Sequence, residues 1–299
     1  MLQTYNPANA DLIVNINGEL VHRDEAGVSP FDSSVQNGDA VWEGLRLYGG
    51  RIFKLAEHLA RLRRSAELLD YRGYPGDDEI VGQLRRTLAA NRMTDSVHVR
   101  LTVSRGTKYT SGLDPRINTA GCSLFILAEH KAPGYDKSGL VLHTAAIRRP
   151  FANVLNQHIH SCNQLTSILA KLEANAAGAD DALLLDTAGN LAETNATHVF
   201  LVRDGVVRTS TTRACPEGIT RMTVLSLCDE HGIPHETRDI PESEIHESDE
   251  AFCTGTMGEI AAVTRIDGTE FCGGHPGPVT TRLGTLYGEL TASTGTAVV

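Results

Sequence analysis

The hydrophobic period of this chain changes repeatedly, and that constrains its fold more than any other feature. Leu55, Leu59, Leu62, Ala66 and Leu69 step by four and three, so residues 54–70 form a helix with one apolar face and arginines pointing elsewhere. Ile80, Leu84 and Leu88 mark a second helix. Residues 97–103 and 123–128 are β-rich runs expected to be neighbouring strands, joined by a Gly-rich loop at 105–114. Ahead of them, residues 11–23 read as a hairpin turning at Asn17-Gly18.

The pattern then breaks. Residues 131–139 are turn-rich and aperiodic, which places a domain boundary there. Beyond it come a strand at 140–147, a helix with Leu165, Ile168, Leu169 and Leu172 on one face, and a strand at 182–185. A hairpin closing at Asp204-Gly205 and a helix from Thr220 follow. The expectation is an α/β (α+β) protein with an N-terminal domain at 1–130, a linker at 131–139 and a C-terminal domain at 140–299.

Composition narrows the partners. A net charge of −10 without a basic stretch argues against nucleic acid. No apolar run is long enough for a membrane span, and the N-terminus lacks the pattern of a secretory signal. Six scattered cysteines with no CxxC pair suit reduced thiols, so a cytoplasmic setting is expected.

The specific strings carry more. Asp39-Ala-Val-Trp-Glu-Gly-Leu-Arg46 precedes Ile52-Phe-Lys-Leu-Ala-Glu-His-Leu-Ala-Arg-Leu62. Asp181-Ala-Leu-Leu-Leu-Asp186, Glu193 and Gly218-Ile-Thr-Arg221 follow, then Gly255-Thr256 with Glu259-Ile260, and Gly277-Pro-Val-Thr280. In this order and over nearly the whole chain, they resemble the fold-type-IV, pyridoxal-phosphate-dependent aminotransferases of the branched-chain and D-amino-acid type. The resemblance implies a homodimer of two-domain subunits that binds pyridoxal phosphate at the domain interface and acts on amino acids and 2-oxo acids. It assigns the cofactor to Arg61, Glu193, Ile219, Thr220, Thr256 and Gln164, and the substrate to Trp42, His98 and Arg100. These residue types suit those tasks. A helix opening at Gly218-Ile219-Thr220 offers free N–H groups to a phosphate, and Arg61 adds a charged donor. Glu193 would keep a pyridine nitrogen protonated. His98 and Arg100 alternate along one strand and share a face. Arg46 is a weaker candidate, open to simple pairing with a neighbouring carboxylate.

One position departs from the family. Where its Schiff-base lysine belongs, the chain reads His158-Ile-His160-Ser-Cys-Asn-Gln164, which puts His160 at the lysine position. Gln164 replaces a tyrosine, and His198 replaces a common asparagine. Imidazole forms no stable Schiff base, yet it serves as a general base near neutral pH. The leading expectation is therefore a small α-amino acid or amine condensing with noncovalently held pyridoxal phosphate, with His160, and His158 beside it, as catalytic residues. A lyase, isomerase or hydrolase that has dispensed with the cofactor is the second reading, and a ligand-binding pseudo-enzyme the third. Of the five lysines, only Lys108, in its loop, is a candidate to replace the missing amine, whereas Lys54, Lys131, Lys137 and Lys171 have no motif support. His158 and His160 on one side of a strand would also begin a metal site, but it lacks an assured third ligand, so no metal is assigned.

Overall fold

The computed structural model describes residues 4–132, 135 and 138–299; Lys137 and part of the expected linker lie outside them. The chain forms two compact units that are not colinear with it. The first gathers the described parts of Gln3–Ala132 together with Ile159–Asn163 and Thr291–Val299; the second holds most of Pro133–His158 and Gln164–Leu290. A division at 130/140 therefore leaves two later segments, one of five residues and one of nine, on the wrong side.

The first unit is built on a seven-stranded antiparallel sheet. Its elements are β1 (Ile13–Ile16), β2 (Glu19–His22), α1 (Ser33–Asn37), β3 (Ala40–Tyr48), β4 (Arg51–Ile52), α2 (Leu55–Leu68), α3 (Asp77–Ala90), β5 (Val97–Ser104) and β6 (Ser123–His130). The strand order is Thr296–Ala297, β4, β3, β5, β6, β1, β2. Asn17 and Gly18 both take positive φ between β1 and β2, as a two-residue hairpin turn requires. Both expected helices form, and Leu55, Leu59, Leu62, Ile80, Leu84 and Leu88 pack with Val97, Val99, Leu101 and Val103 in one core. The alternate residues of β3 and β5 face the other way.

The second unit is a mixed nine-stranded sheet. It comprises β7 (Leu140–Thr144), α4 (Leu165–Ala176), β8 (Asp181–Leu185), β9 (Leu191–Thr194), β10 (His198–Arg203), β11 (Val206–Thr209), α5 (Ile219–Glu230), β12 (His235–Thr237), β13 (Glu250–Gly255), β14 (Glu259–Ile266) and β15 (Thr269–Glu270). The order is β12-β11-β10-β13-β14-β7-β8-β9, with β15 paired to β14. Only the β11/β12, β14/β7 and β7/β8 pairs are parallel. Here α4 reverses the reading of its stripe. Leu165, Ile168, Leu169 and Leu172 are exposed, whereas the smaller Ser167, Ala170 and Ala174 are buried. Ala170 and Ala174 meet Ala145, Ala182 and Leu184, because small side chains let the helix lie close to β8.

Leu101 is fully buried on the central strand β5. Leu101→Ala is expected to cost about 2–5 kcal/mol, through lost burial plus the cavity left behind. Denaturant unfolding should show this as a lower midpoint with an unchanged slope.

Candidate active site

In the first unit a buried carboxylate organises the site. Glu43 lies on β3, fully inaccessible to solvent. Arg61 Nε donates to its Oε1 and Arg61 Nη2 to its Oε2, each at 2.7 Å, and His58 Nδ1 lies 2.7 Å from Oε2. His58 and Arg61 are three residues apart on α2, so one helix face delivers both. Burial alone would raise the Glu43 carboxyl; Arg61 and then His160 outweigh it and hold it well below the ordinary range. Arg61 is thus no exposed helix arginine, and two of its donors are committed to Glu43.

His160 completes this cluster. The returning segment pairs with the edge of β3: Trp42 N–H donates to the His160 carbonyl at 3.0 Å, and Cys162 N–H donates to the Ala40 carbonyl at 2.8 Å. His160 N–H is held by Ser65 Oγ of α2 at 3.1 Å. The ring nitrogen Nδ1 lies 2.5 Å from the Trp42 carbonyl and 3.6 Å from Glu43 Oε1. A carbonyl only accepts, so Nδ1 carries the proton and Nε2 keeps the lone pair. Burial, reinforced by Arg61 and opposed by Glu43, holds the imidazole below its ordinary value, which leaves it a neutral base near pH 7.

The face of β3 and β5 turned away from the core carries the substrate candidates. Register sets Trp42 opposite Thr102, Gly44 opposite Arg100 and Arg46 opposite His98. The Trp42 indole is sandwiched, with the Arg100 guanidinium 3.4 Å from its centroid and the His160 ring stacked at 4.4 Å. Arg100 also reaches Cys162 Sγ at 3.7 Å. Arg46 is buried, its Nε and Nη1 have no hydrogen-bond partner among the described residues, and its guanidinium lies over the Tyr48 ring, 5.6 Å from the centroid. Hydrogen bonds from Gly49 and Ser96, followed by the charge of Arg46, hold the Asp95 carboxyl below its ordinary value. His98, pressed by burial and by the cations Lys131, Arg46 and Arg100, drops to about 3 and stays neutral.

The second unit presents a separate group. Glu193 is buried on β9 and pairs with Arg149 at 2.9 Å, so it is not a solvated turn residue. Helix α5 starts at Ile219 after Gly218, which supplies no side-chain cap. A Cβ at Gly218 would meet His198 Cδ2 at 2.2 Å, so the position needs glycine. Thr220 is buried at the first turn of α5, and Thr256 follows β13, half-buried. Gln164 directly precedes α4. Glu193, His198 and Cys215 bring a carboxylate oxygen, an imidazole nitrogen and a sulfur within 4.8 Å of one another. A divalent cation would there meet the Arg149 guanidinium and a Cys215 thiol that burial keeps protonated.

His158 and His160 do not share a strand. Residues 157–158 form a turn, and only Ser161 makes an isolated bridge, to Val41. His158 belongs to the second unit, 3.8 Å from Glu217, while His160 belongs to the first. A two-residue alternation is meaningful only within an extended run, and a turn interrupts this one. Lys108 is buried, and its Nζ is bound by Asn37 Oδ1 and the Gly112 carbonyl. Lys54 pairs with Glu57, and Lys171 with Asp181 and the Asp180 carbonyl.

The family model for amino-transferase class IV matches residues 40–266. The chain belongs to the class IV aminotransferase family. This class IV chain is 35% identical over 286 residues to a putative branched-chain-amino-acid aminotransferase of Methanocaldococcus jannaschii, covering 95% of this chain and 98% of that protein. It is 47% identical to branched-chain-amino-acid aminotransferase-like protein 2 of Arabidopsis thaliana over 98% of its own length, but it spans only 52% of that relative. Among solved structures, the branched-chain aminotransferase of Thermoproteus uzoniensis with norvaline superposes with a TM-score of 0.87 at 28% identity, covering 94% of this chain and 95% of that one. The branched-chain amino acid aminotransferase of Thermobaculum terrenum, in its PLP-bound holo-form, gives 0.84 at 29% identity, covering 95% of each. The fold is therefore that of the fold-type-IV aminotransferases.

Sequence reasoning passed over Glu43, His58, Ser65 and Arg149. Glu43 and His58 sat inside the quoted strings, but nothing in the spacing showed that they meet Arg61 and His160.

The His98 ring makes stability depend on pH. Unfolded, it takes up a proton near its ordinary value of about 6.5; folded, it resists down to about 3. The unfolded state binds more protons between those values, so stability falls as pH drops through that window. Denaturation midpoints of the parent and His98→Gln should diverge below about pH 6.5, with the variant losing less stability on acidification.

Proposed function

We propose that this class IV chain acts on a small α-amino acid with pyridoxal phosphate bound noncovalently, and that His160 is its proton carrier. The observation that carries the reading is the imidazole fixed with Nδ1 on the Trp42 carbonyl and Nε2 left as the base. The donor set supports the cofactor. A buried Glu193 suits a pyridine nitrogen, and an N-terminus of α5 without a side-chain cap, with Thr220 in its first turn, suits a phosphate ester. Ile219 main chain, Thr256 and Gln164 complete the proposed cofactor set, whereas the Arg61 fork is taken by Glu43. The only group at the lysine position is an imidazole, which fits noncovalent binding and not a covalent bond. When bound, the cofactor would supply the electron sink for the bond broken at Cα.

The chain's own residues would do the rest. Arg100, and the neutral His98 beside it, would orient the substrate carboxylate, with the Trp42 indole as a wall. His160 Nε2 would take the proton from Cα, and Nδ1–H would keep its bond to the Trp42 carbonyl throughout. His158, beside Glu217, is given no step. A homodimer, on the strength of the family resemblance, and a cytoplasmic setting, on the six scattered cysteines, belong to the same proposal. No helix among the described residues is long and apolar enough to cross a membrane.

The test uses purified protein with saturating pyridoxal phosphate and an amino donor. Release of 2-oxo acid above the cofactor-only background is expected, with a chromophore that borohydride does not attach to the protein. His160→Ala should slow release by about 10²–10⁴, the usual contribution of a positioned base. Attachment of the chromophore to a lysine, or no release above background, would overturn the reading.

A further inference from the structure

We infer that Glu43 is a positioning residue that sets the tautomer and basicity of His160, an assignment that rests on His160 being the base. The argument begins with what a buried carboxylate needs. Arg61 alone meets Glu43 with a two-point fork, balancing its charge and occupying both oxygens. His58 adds a third bond on Oε2, so the carboxylate cannot rotate. Its Oε1 is thereby fixed on the His160 side, 3.6 Å from Nδ1. The backbone that carries the imidazole is pinned too, through the His160 main-chain N–H to Ser65 Oγ, whose hydroxyl in turn donates to the Arg61 carbonyl at 2.9 Å, while the ring itself is held by its Nδ1–H on the Trp42 carbonyl. Helix α2 thus holds both the carboxylate and the main chain of the residue whose ring it faces.

The consequence is electrostatic. When Nε2 takes a proton the ring becomes a cation in a poorly screened interior. The groups around it are Glu43 and the Trp42 indole from β3, His58 and Arg61 from α2, Arg100 across the indole from β5, and Cys162 from its own segment. Among these described groups Glu43 is the one carboxylate, and two are guanidinium cations. Without the negative charge of Glu43, Arg61 would oppose protonation unopposed itself. The carboxylate therefore stabilises the protonated ring, and the Trp42 carbonyl and Oε1 together keep Nδ1 as the donor.

Trp42 is the only tryptophan in the chain and stacks on His160, so its fluorescence reports the protonation of that ring in the protein as it stands. The expected result is a titration that vanishes in His160→Ala and moves to lower pH by about one unit or more in Glu43→Gln, tenfold or more in proton affinity. Glu43→Asp should recover part of the shift. In the parent protein, ¹⁵N resonances should show the Nδ1–H tautomer above the midpoint, a measurement that needs no variant to fold. A folded Glu43→Gln with the parent's midpoint, or the Nε2–H tautomer in the parent, would overturn the assignment. The two readings fail separately. If His160→Ala keeps full turnover while Glu43→Gln still shifts the titration, the base role falls and the positioning role stands. If turnover needs His160 but the midpoint ignores Glu43, the reverse holds.

Discussion

Everything in the cluster of the first unit depends on one buried negative charge. Taking a carboxylate such as Glu43 out of water costs several kcal/mol after relaxation, and that cost is offset only by well-aligned partners. Here they are Arg61 and His58 on one turn of α2. Their bonds to β3 fix the rotation of α2 against the sheet as firmly as the leucines of its apolar face do. The returning segment then meets a strand edge and a helix that are already in place, and His160 enters an environment it does not have to organise.

The two sides of β3 divide the labour. Val41, Leu45 and Leu47 lie in the core with Glu43 between them, while Trp42, Gly44 and Arg46 face the other way with Arg100 and His98. Strand alternation thereby sets the Glu43 carboxylate on one side of the strand and the Trp42 and Arg46 side chains on the other, though they are neighbours in sequence. Because a glycine sits at position 44, Trp42 and His98 can crowd toward one another; a Cβ there would come within 3.2 Å of His98 Nε2.

Much of this was legible in the amino-acid order. The steps of four and three at Leu55–Leu62 and of four at Ile80–Leu88 named helices that exist, and Asn17-Gly18 and Asp204-Gly205 named turns with both central residues at positive φ. Periodicity shows that a helix has an apolar side, not which side is covered, and α4 is the case where the two part. The ordered strings reached the family because they span both units. They could not show that Arg61 is committed to a carboxylate or that Glu193 faces Arg149, since those contacts join residues 18 and 44 positions apart. The strand expected through His158 failed for a related reason: two histidines in alternation look extended until a turn intervenes.

The non-colinear units bear on how the chain is made. The first unit includes Ile159–Asn163, and its outermost strand, Thr296–Ala297, pairs with β4 from the far end of the sequence. During synthesis residues 4–130 therefore emerge before the segment that carries His160 and before the edge strand Thr296–Ala297. They must wait, with the edge of β3 exposed, while the intervening residues are translated. That open edge is the kind of surface on which strands from other chains pair. The fold thus postpones the placement of His160, and until that segment arrives the emerging chain carries an association hazard at the edge of β3.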